Sequence, residues 1–327
     1  MLPLAATGFI REYGVSHPIA LAPMAFVGST PDLAIAVCRA GGIGALAAGI
    51  LSTEALRQAV DTIQANTDLP FNVNFVSFLV QPEQLAVCID CRVPIVSFHW
   101  GLPPSHYLKQ LRDAGIKIWV QVGSVSAAQE AVAAGAACIV AQGNEAGGHN
   151  YAGPPLCELL PAVVKAVSPV PVLAAGGIVT AQQVAAALSI GAAGVSIGTR
   201  FIASPEAYAH EDYKRLLIET EQTRLTSLYG QEIPHFNPMR VLNIGLAKEY
   251  QDNESSAPND PESQPIIAMM HLGGEKIPLR RFTSFPPTPD TSGAISELPM
   301  LAGSGAGLIK EIKPAADIIE ELTAELK

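Results

Sequence analysis

The most constraining feature of this 327-residue sequence is a repeat of short apolar runs, each followed by a segment of helical character. Eight such runs occupy residues 19–24, 42–49, 71–77, 95–101, 117–124, 138–145, 170–178 and 194–201. Continuous apolar runs, as opposed to alternating ones, are typical of strands buried on both faces in a parallel sheet. Eight strand–helix units in succession favour an α/β fold of the closed (β/α)8 TIM barrel type. An open, doubly wound sheet is the alternative, but residues 23–30 (PMAFVGST) after the first run lack a GxGxxG turn.

The segments between the runs carry helix start and stop signals. Residues 124–135 begin with Ser124 or Ser126 as candidate cap and continue in alanine-rich turns. Residues 180–191 repeat the design, with Thr180 as the cap and Gly191 as the stop. We therefore expect helices between the strands.

The character of the sequence changes after Phe201. A charged helix is expected over residues 205–220, and residues 251–264 lack apolar periodicity, which indicates an exposed loop or a break between helices. We predict a TIM barrel over residues 1–219, a smaller appended domain over one barrel end at 220–297, and a C-terminal segment at 298–327 whose helix returns to the barrel.

The charge and hydropathy of the sequence exclude some classes of binding partner. Lys and Arg number 20 against 30 Asp and Glu, a formal charge of −10 without a polybasic run, so nucleic acid is not expected as a partner. No segment reaches the roughly 18 consecutive apolar residues of a membrane span, so we expect a soluble, cytoplasmic protein and no membrane partner. The low charged fraction of 15% leaves homodimerisation open. Five cysteines, an odd number, argue against a disulfide framework, and the lone Cys88–Cys91 CxxC predicts structural thiols and no metal site.

Candidate site residues follow from the barrel, because active sites of this fold lie at the carboxyl ends of the strands. Polar or glycine residues that end the runs are therefore candidates for binding a small-molecule substrate or cofactor. They include Pro23, Met24, Asn74, Gln121, Gln142, Gly147, Gly148, Ala175, Gly176, Gly177, Gly198 and Thr199. His99 and Trp100, which end the fourth run, are expected in a pocket wall.

The last two runs end in glycine-containing turns. Ala175-Gly176-Gly177 and Gly198-Thr199 follow the seventh and eighth strands, where barrels recurrently bind a phosphate group. Glycine permits close approach of backbone N–H groups to such a ligand. The alternative is that these glycines only form tight turns.

The segment AQGNEAGGHNYAGPP after the sixth strand is the most informative. It is too polar and too rich in glycine to be core, so we predict a loop that contains Glu145, Gly147, Gly148 and His149. The ordinary pKa of a histidine side chain is close to neutral pH, so His149 is suited to accept or donate a proton above the barrel mouth. The alternative is a loop histidine bonded to a backbone carbonyl. For Glu145 we expect a structural role, in which the carboxylate caps the next turns through their N–H groups.

Two neutral amides stand at the ends of the third and sixth strands. Asn74 and Gln142 are suited to hydrogen-bond the edge of a heteroaromatic ring without adding charge. Each is equally suited to bond a neighbouring strand end.

Several of these motifs together resemble the nitronate monooxygenase family, formerly called 2-nitropropane dioxygenases. The motifs are APM (22–24), NVNFV (72–76), QGNEAGGH (142–149), AAGGI (174–178), GTRF (198–201) and AGSGAGLI near the end. The resemblance covers nearly the whole chain, and QGNEAGGH is its most specific part.

The resemblance implies a flavin mononucleotide (FMN) at the barrel mouth and a catalytic role for His149. Pro23 and Met24 would lie against the isoalloxazine ring, and His149 would be the general base on a neutral nitroalkane. The implied reaction is oxidation of an alkyl nitronate by dioxygen to a carbonyl compound and nitrite. Bonds to the ring or ribityl chain are implied for Asn74, Gln142 and the backbone near Gly147, and bonds to the phosphate for Gly176, Gly177, Gly198 and Thr199.

The sequence departs from the family pattern at two places. Asn150 and Tyr151 follow the histidine where the family usually has a glycine two places on, which is expected to reshape the substrate pocket. Ser304 stands where glutamine is common, so one amide near the flavin is expected to be missing.

Three alternatives stay open from the sequence. Flavin-dependent enoyl-acyl-carrier-protein reductases and quinone reductases share the GGH-bearing barrel but use NAD(P)H as electron donor. A non-catalytic binder of phosphate ligands is the second. Barrels of the IMP dehydrogenase type are the third, but they need a catalytic cysteine after the sixth strand, and Cys157 lies too far along the chain.

Overall fold

Eight parallel strands form the centre of the protein. The computed structural model describes residues 3–230, 235, 237–258, 260 and 262–326. The barrel strands are β1 Ile19–Leu21, β2 Gly44–Ala47, β3 Phe71–Val76, β4 Ile95–His99, β5 Lys117–Val122, β6 Cys138–Gln142, β8 Val172–Ala175 and β9 Gly194–Ile197. They pair in the order β1-β9-β8-β6-β5-β4-β3-β2.

Backbone hydrogen bonds between β1 and Ile43, the residue directly before β2, close the barrel. The N–H of Leu21 donates to the carbonyl of Ile43, and the N–H of Ile43 donates to that of Ile19. The (β/α)8 TIM barrel is therefore confirmed, and the open-sheet alternative is wrong. All eight strands fall inside the apolar runs identified in the sequence.

Helices cover the barrel and follow the expected local rules. Their bounds are α1 Leu4–Tyr13, α2 Pro31–Arg39, α3 Thr53–Asn66, α4 Pro82–Asp90, α5 Ser105–Asp113, α6 Val125–Ala133, α7 Leu156–Val167, α8 Ala181–Ile190, α9 Thr199–Ile202, α10 Glu211–Glu219, α11 Gly245–Glu249 and α12 Ala315–Leu322. The predicted caps are confirmed: the Ser124 hydroxyl accepts from the Ala127 N–H, and Thr180 forms a capping box with Gln183. Gly191 ends α8 at a φ of 113°.

One helix boundary differs from the prediction. The charged helix begins at Glu211 and not at residue 205, because the His210 side chain caps it. Its Nδ1 accepts a hydrogen bond from the Asp212 N–H at 3.0 Å. An imidazole cap is rare, so the sequence pattern gave no reason to begin the helix there.

An aromatic cluster fills the amino-terminal end of the barrel. Phe9 and Tyr13 of α1 pack against Trp119, which points inward from β5, and all three rings are buried. The Trp119 Nε1 donates to the Tyr13 hydroxyl at 2.8 Å. Since strand side chains alternate, Gln121 points inward two residues further on, towards the opposite barrel end. The cluster leaves that opposite end for a ligand.

Two small antiparallel sheets lie beside the barrel. One combines β7 Gly148–His149, β10 Thr223–Thr226 and β11 Met239–Leu242, and the other combines β12 Ile266–Leu272, β13 Glu275–Arg280 and β14 Thr291–Gly293. The last helix, α12, packs against α2 and α8 on the outside of the barrel. Within the residues that the structure describes, no helix combines the length and apolarity needed to cross a bilayer.

Candidate active site

A cavity of about 400 Å³ opens at the carboxyl ends of the barrel strands. This volume falls within the range of about 300 to 1,000 Å³ that is typical of small-molecule and cofactor sites. The structure brings every predicted site residue to this cavity: Pro23, Met24, Asn74, Gln121, Gln142, Gly147, Gly148, His149, Ala175, Gly176, Gly177, Gly198 and Thr199. His99 and Trp100 line it as well.

One end of the cavity is a cradle of backbone N–H groups after β8 and β9. The N–H groups of Gly177, Ile178 and Gly198 donate no hydrogen bond to any residue that the structure describes. Gly177 has a left-handed φ of 71°, and a Cβ there would lie 3.1 Å from the Glu145 Cβ. Glycine therefore brings the backbone up to the cavity where a side chain would obstruct it.

The C-terminal segment completes this cradle. Gly303 lines the cavity, and its N–H donates to the Thr199 hydroxyl at 3.0 Å. Ser304 is exposed and does not line the cavity. The cradle is thus made of uncharged donors, which suits a phosphate group held by main-chain hydrogen bonds.

Neutral amides lie along the cavity wall. Asn74 is buried, and its Nδ2 donates to the Ser97 hydroxyl on the neighbouring strand at 2.8 Å. Its Oδ1 accepts no hydrogen bond from the described residues, so Asn74 combines the strand-end bond with an acceptor left for a ligand. The Gln142 and Gln121 amides form no hydrogen bond within the described part of the chain. Pro23 and Met24 supply an apolar surface in the same cavity.

His149 lies on a strand and not in a loop, which corrects the sequence prediction. The two-residue strand β7 pairs antiparallel with β11, so that His149 stands opposite Met239 and Gly148 opposite Arg240. The partly buried imidazole lies edge-on to the Trp100 ring, with the ring centroids 5.2 Å apart. Backbone pairing on one side and ring contact on the other fix its position at the cavity.

The expected capping role of Glu145 is confirmed. Both carboxylate oxygens accept from the Leu156 N–H, at 3.1 and 2.9 Å, at the start of α7. The position before Leu156 is a proline, which has no side-chain oxygen to cap the helix. The Glu145 carbonyl also accepts from the Ser304 N–H at 2.9 Å, so this residue joins the loop after β6 to α7 and to the C-terminal segment.

A second imidazole, that of His99, lies close by. Its ring centroid is 4.6 Å from that of Trp100, and its Nδ1 is buried without a hydrogen-bond partner in the described structure. Burial, with a contribution from nearby His149, lowers the pKa of His99 to about 3. His99 is therefore a neutral group in the cavity wall at physiological pH.

Some lining residues were not identified from the sequence. They come from loops, from α10 and from the C-terminal third of the chain: Phe78, Leu79, Tyr213, Leu272, Ser284, Phe285 and Gly303. The AGSGAGLI motif was a usable signal for Gly303, because glycine pairs elsewhere in the sequence predicted backbone approach to a ligand. Tyr213 gave no such signal, since nothing in the charged sequence around it indicates contact with a ligand.

Fold and cavity together define a (β/α)8-barrel enzyme whose site lies at the carboxyl ends of its strands. The model of the nitronate monooxygenase family matches residues 9–85 and 77–325, and the chain belongs to that family. It is a flavin-dependent oxidoreductase by class.

The relatives include both curated proteins and solved structures. The chain is 30% identical to a nitronate monooxygenase of Paraburkholderia phytofirmans, over 96% of this chain and 93% of that protein. FabK from Thermotoga maritima has 34% identity and a TM-score of 0.80, covering 97% of this chain and 95% of FabK. A nitroalkane oxidase from Streptomyces ansochromogenes has 29% identity and a TM-score of 0.78, covering 97% of both chains.

Proposed function

We propose that this protein oxidises alkyl nitronates with dioxygen in an FMN-dependent reaction that yields a carbonyl compound and nitrite, and that it also takes neutral nitroalkanes by deprotonating them. The observation that carries the proposal is the position of His149. Its imidazole faces a cavity that has unpaired main-chain donors at one end and neutral amides along the wall. Family membership supports the same reaction class.

The residues present fit FMN. Its phosphate would be held by the N–H groups of Gly177, Ile178 and Gly198, which lack partners among the described residues. Its ring would lie against Pro23 and Met24, within reach of the Gln142 amide and the Asn74 Oδ1. When bound, the flavin supplies the redox chemistry that no side chain of the protein has.

The chain itself supplies the proton transfer and the placement of the substrate. His149 takes the α-proton of a neutral nitroalkane, and its imidazolium then stabilises the nitronate anion. For a substrate that arrives as the nitronate, only the second role is needed. The apolar walls exclude water from the reacting carbon, which strengthens this electrostatic interaction.

A comparison of two substrate forms tests the role of His149. For His149→Ala we expect kcat/KM on neutral nitroethane to fall by about 10²–10⁴-fold, and kcat/KM on preformed ethyl nitronate to fall much less. Nitrite release and oxygen uptake measure both. His106→Ala, which alters an exposed histidine outside the cavity, is the matched control. Near-normal turnover of neutral nitroethane by His149→Ala would remove the assignment of the base.

The second candidate is a flavin-dependent reductase that takes electrons from NAD(P)H. The similarity to FabK, with a TM-score of 0.80, is as high as that to the nitroalkane oxidase, 0.78. Mixing the flavin-loaded protein with NADH under argon distinguishes the two candidates. Rapid bleaching of the flavin band supports the reductase, and an unchanged band supports the oxidation of nitronates.

A further inference from the structure

Three aromatic side chains form a continuous surface that leads out of the cavity. Phe78 and Trp100 are stacked, with ring centroids 6.2 Å apart and an interplanar angle of 19°. Tyr151 continues the surface, with its centroid 5.2 Å from that of Trp100. Phe78 and Trp100 line the cavity, whereas Tyr151 lies beyond it and is 45% exposed. We name Phe78, Trp100 and Tyr151 the aromatic wall.

The wall begins beside the predicted catalytic base. Trp100 contacts His149 edge-on and also contacts Tyr151, with the ring centroids 5.2 Å apart in both pairs. A substrate whose reacting carbon lies at His149 would therefore have the rest of its chain beside Trp100, directed towards Tyr151.

The departure from the family pattern at residues 150 and 151 builds this wall. Asn150 is buried, its Nδ2 donates to the Gly143 carbonyl at 3.1 Å, and its Oδ1 accepts from the Ala152 N–H at 2.9 Å. These bonds lock the backbone on both sides of Tyr151, whose hydroxyl donates to the His235 carbonyl. The phenol ring is thus held at the cavity mouth before any ligand arrives.

Trp100 is also held in an unusual backbone conformation. Its φ of 64° lies in the left-handed region, which a bulky residue seldom adopts. Strain of this kind persists only where the surrounding structure enforces it, and it is concentrated at functional sites. The strained turn after β4 places the indole in contact with both His149 and Tyr151.

The described lining of the cavity offers no permanently charged side chain to pair with an anionic substituent. Among the described residues that line it, none is a lysine, arginine, aspartate or glutamate. A second negative charge on a substrate would be left unpaired beside the wall, which is unfavourable in an apolar setting.

We propose that the aromatic wall binds the uncharged hydrocarbon chain of the substrate, so that the enzyme selects alkyl nitronates and nitroalkanes with several carbons and no second negative charge. This inference rests on the proposed function for the identity of the reacting group. The wall itself is defined by its residues and by the absence of charged side chains in the described lining.

The size of the effect follows from the exposure of the wall. Full burial of one methylene group strengthens binding by about fourfold. Phe78 and Tyr151 are 49% and 45% exposed, so the hydrocarbon chain of a bound substrate would contact the wall on one side and solvent on the other. We therefore expect about a twofold gain in affinity for each added methylene group, roughly the square root of the full value.

Binding of unreactive probes tests the wall without turnover. The FMN-loaded enzyme is titrated with alkanamides from butanamide to octanamide and with the same amides carrying a carboxylate at the far end of the chain, and the flavin absorbance is followed. We expect dissociation constants of the uncharged amides to fall about twofold per methylene group, and each amide with a terminal carboxylate to bind at least tenfold more weakly than its uncharged counterpart. A flat series, or charged amides that bind as well as the uncharged ones, would overturn the proposal.

Variants of the wall locate the effect. Phe78→Ala and Tyr151→Ala should each flatten the dependence on chain length, whereas Tyr151→Phe should keep it because the ring remains. Ile266→Ala, which shortens an exposed side chain outside the cavity, is the matched control and should keep the wild-type dependence. If the alanine variants kept the full dependence, the chain would bind elsewhere and the proposal would be wrong.

The same series separates this inference from the proposed function. A chain-length effect on amide binding without turnover of any nitroalkane would contradict the proposed function and leave the wall intact. Turnover of nitroethane with kcat/KM that does not rise from 1-nitropropane to 1-nitrohexane would contradict the wall alone.

Discussion

Replacing Glu145 by alanine should destabilise the protein without removing any group that faces the cavity. The carboxylate is the acceptor for the first N–H of α7, with two contacts of 3.1 and 2.9 Å, and it does not line the cavity. Pro155 precedes the helix and offers no substitute cap. Alanine would leave that N–H without its charged acceptor.

The magnitude follows from the geometry. Loss of a helix N-cap costs about 1 to 2 kcal/mol, and an ionised acceptor belongs to the upper part of this range. The entropy of unfolding is about 2.1 cal/mol/K per residue, so about 1.5 kcal/mol lowers the Tm of a 327-residue chain by roughly 2 °C. Glu145→Gln keeps an oxygen acceptor but loses the charge, so its shift should be about half as large.

Thermal unfolding of the flavin-free protein, followed by circular dichroism, measures these shifts without a contribution from bound cofactor. Glu158→Ala is the matched control, because it removes another carboxylate from the first turn of the same helix without removing the bond to Leu156. Equal Tm values for Glu145→Ala and Glu158→Ala would refute the reasoning. So would a Glu145→Gln variant as unstable as the alanine variant, since the retained oxygen would then contribute nothing.

Three further predictions concern a glycine, a histidine and the thiols. Gly177→Ala should weaken FMN binding by about tenfold in a fluorescence titration of the flavin-free protein. A left-handed alanine costs about 1 to 2 kcal/mol, and we expect the free turn to relieve this cost by leaving the conformation that FMN requires. Gly153→Ala, where a Cβ meets open space, should leave FMN binding unchanged. The pKa of His99 is lowered to about 3, so between pH 6.5 and 3 the unfolded chain binds a proton that the folded chain does not. Unfolding free energy should therefore fall by up to about 1.4 kcal/mol per pH unit on acidification, and denaturant titrations from pH 6 to 4 should show a shallower fall for His99→Asn. Alkylation at pH 8, followed by mass spectrometry, should modify exposed Cys157 first and leave Cys38 and Cys88 unmodified until the protein is denatured. The reason is that burial raises the pKa of the Cys38 and Cys88 thiols to about 11 and about 12. Early labelling of either buried thiol would contradict this prediction.

Much of the fold was predictable because its signals are local. Each apolar run with its following cap reports on a single strand–helix unit, and Thr180 with Gly191 marks a whole helix within a dozen residues. The site candidates followed from the same assignment of strands, since the barrel fold places the carboxyl ends of all strands at one end of the barrel. The capping role of Glu145 was also a local inference, as it lies 11 residues from Leu156.

What could not be predicted depends on contacts between distant segments. A two-residue strand such as β7 has no periodicity, and its partner Met239 lies 90 residues beyond His149. The aromatic wall combines side chains from loops after three different strands, so nothing in the sequence next to Phe78 indicates Tyr151. Trp100 was expected in a pocket wall, but its left-handed backbone was not, because this conformation is enforced by tertiary packing.

The buried aromatic cluster of Phe9, Tyr13 and Trp119 closes the amino-terminal end of the described barrel, so a ligand enters at the carboxyl end. Substrate, dioxygen and product must then pass through the same opening, one after another. A long-chain product that dissociates slowly from Tyr151 would delay binding of the next substrate molecule. Product release, and not product formation, would then limit kcat for the longest chains.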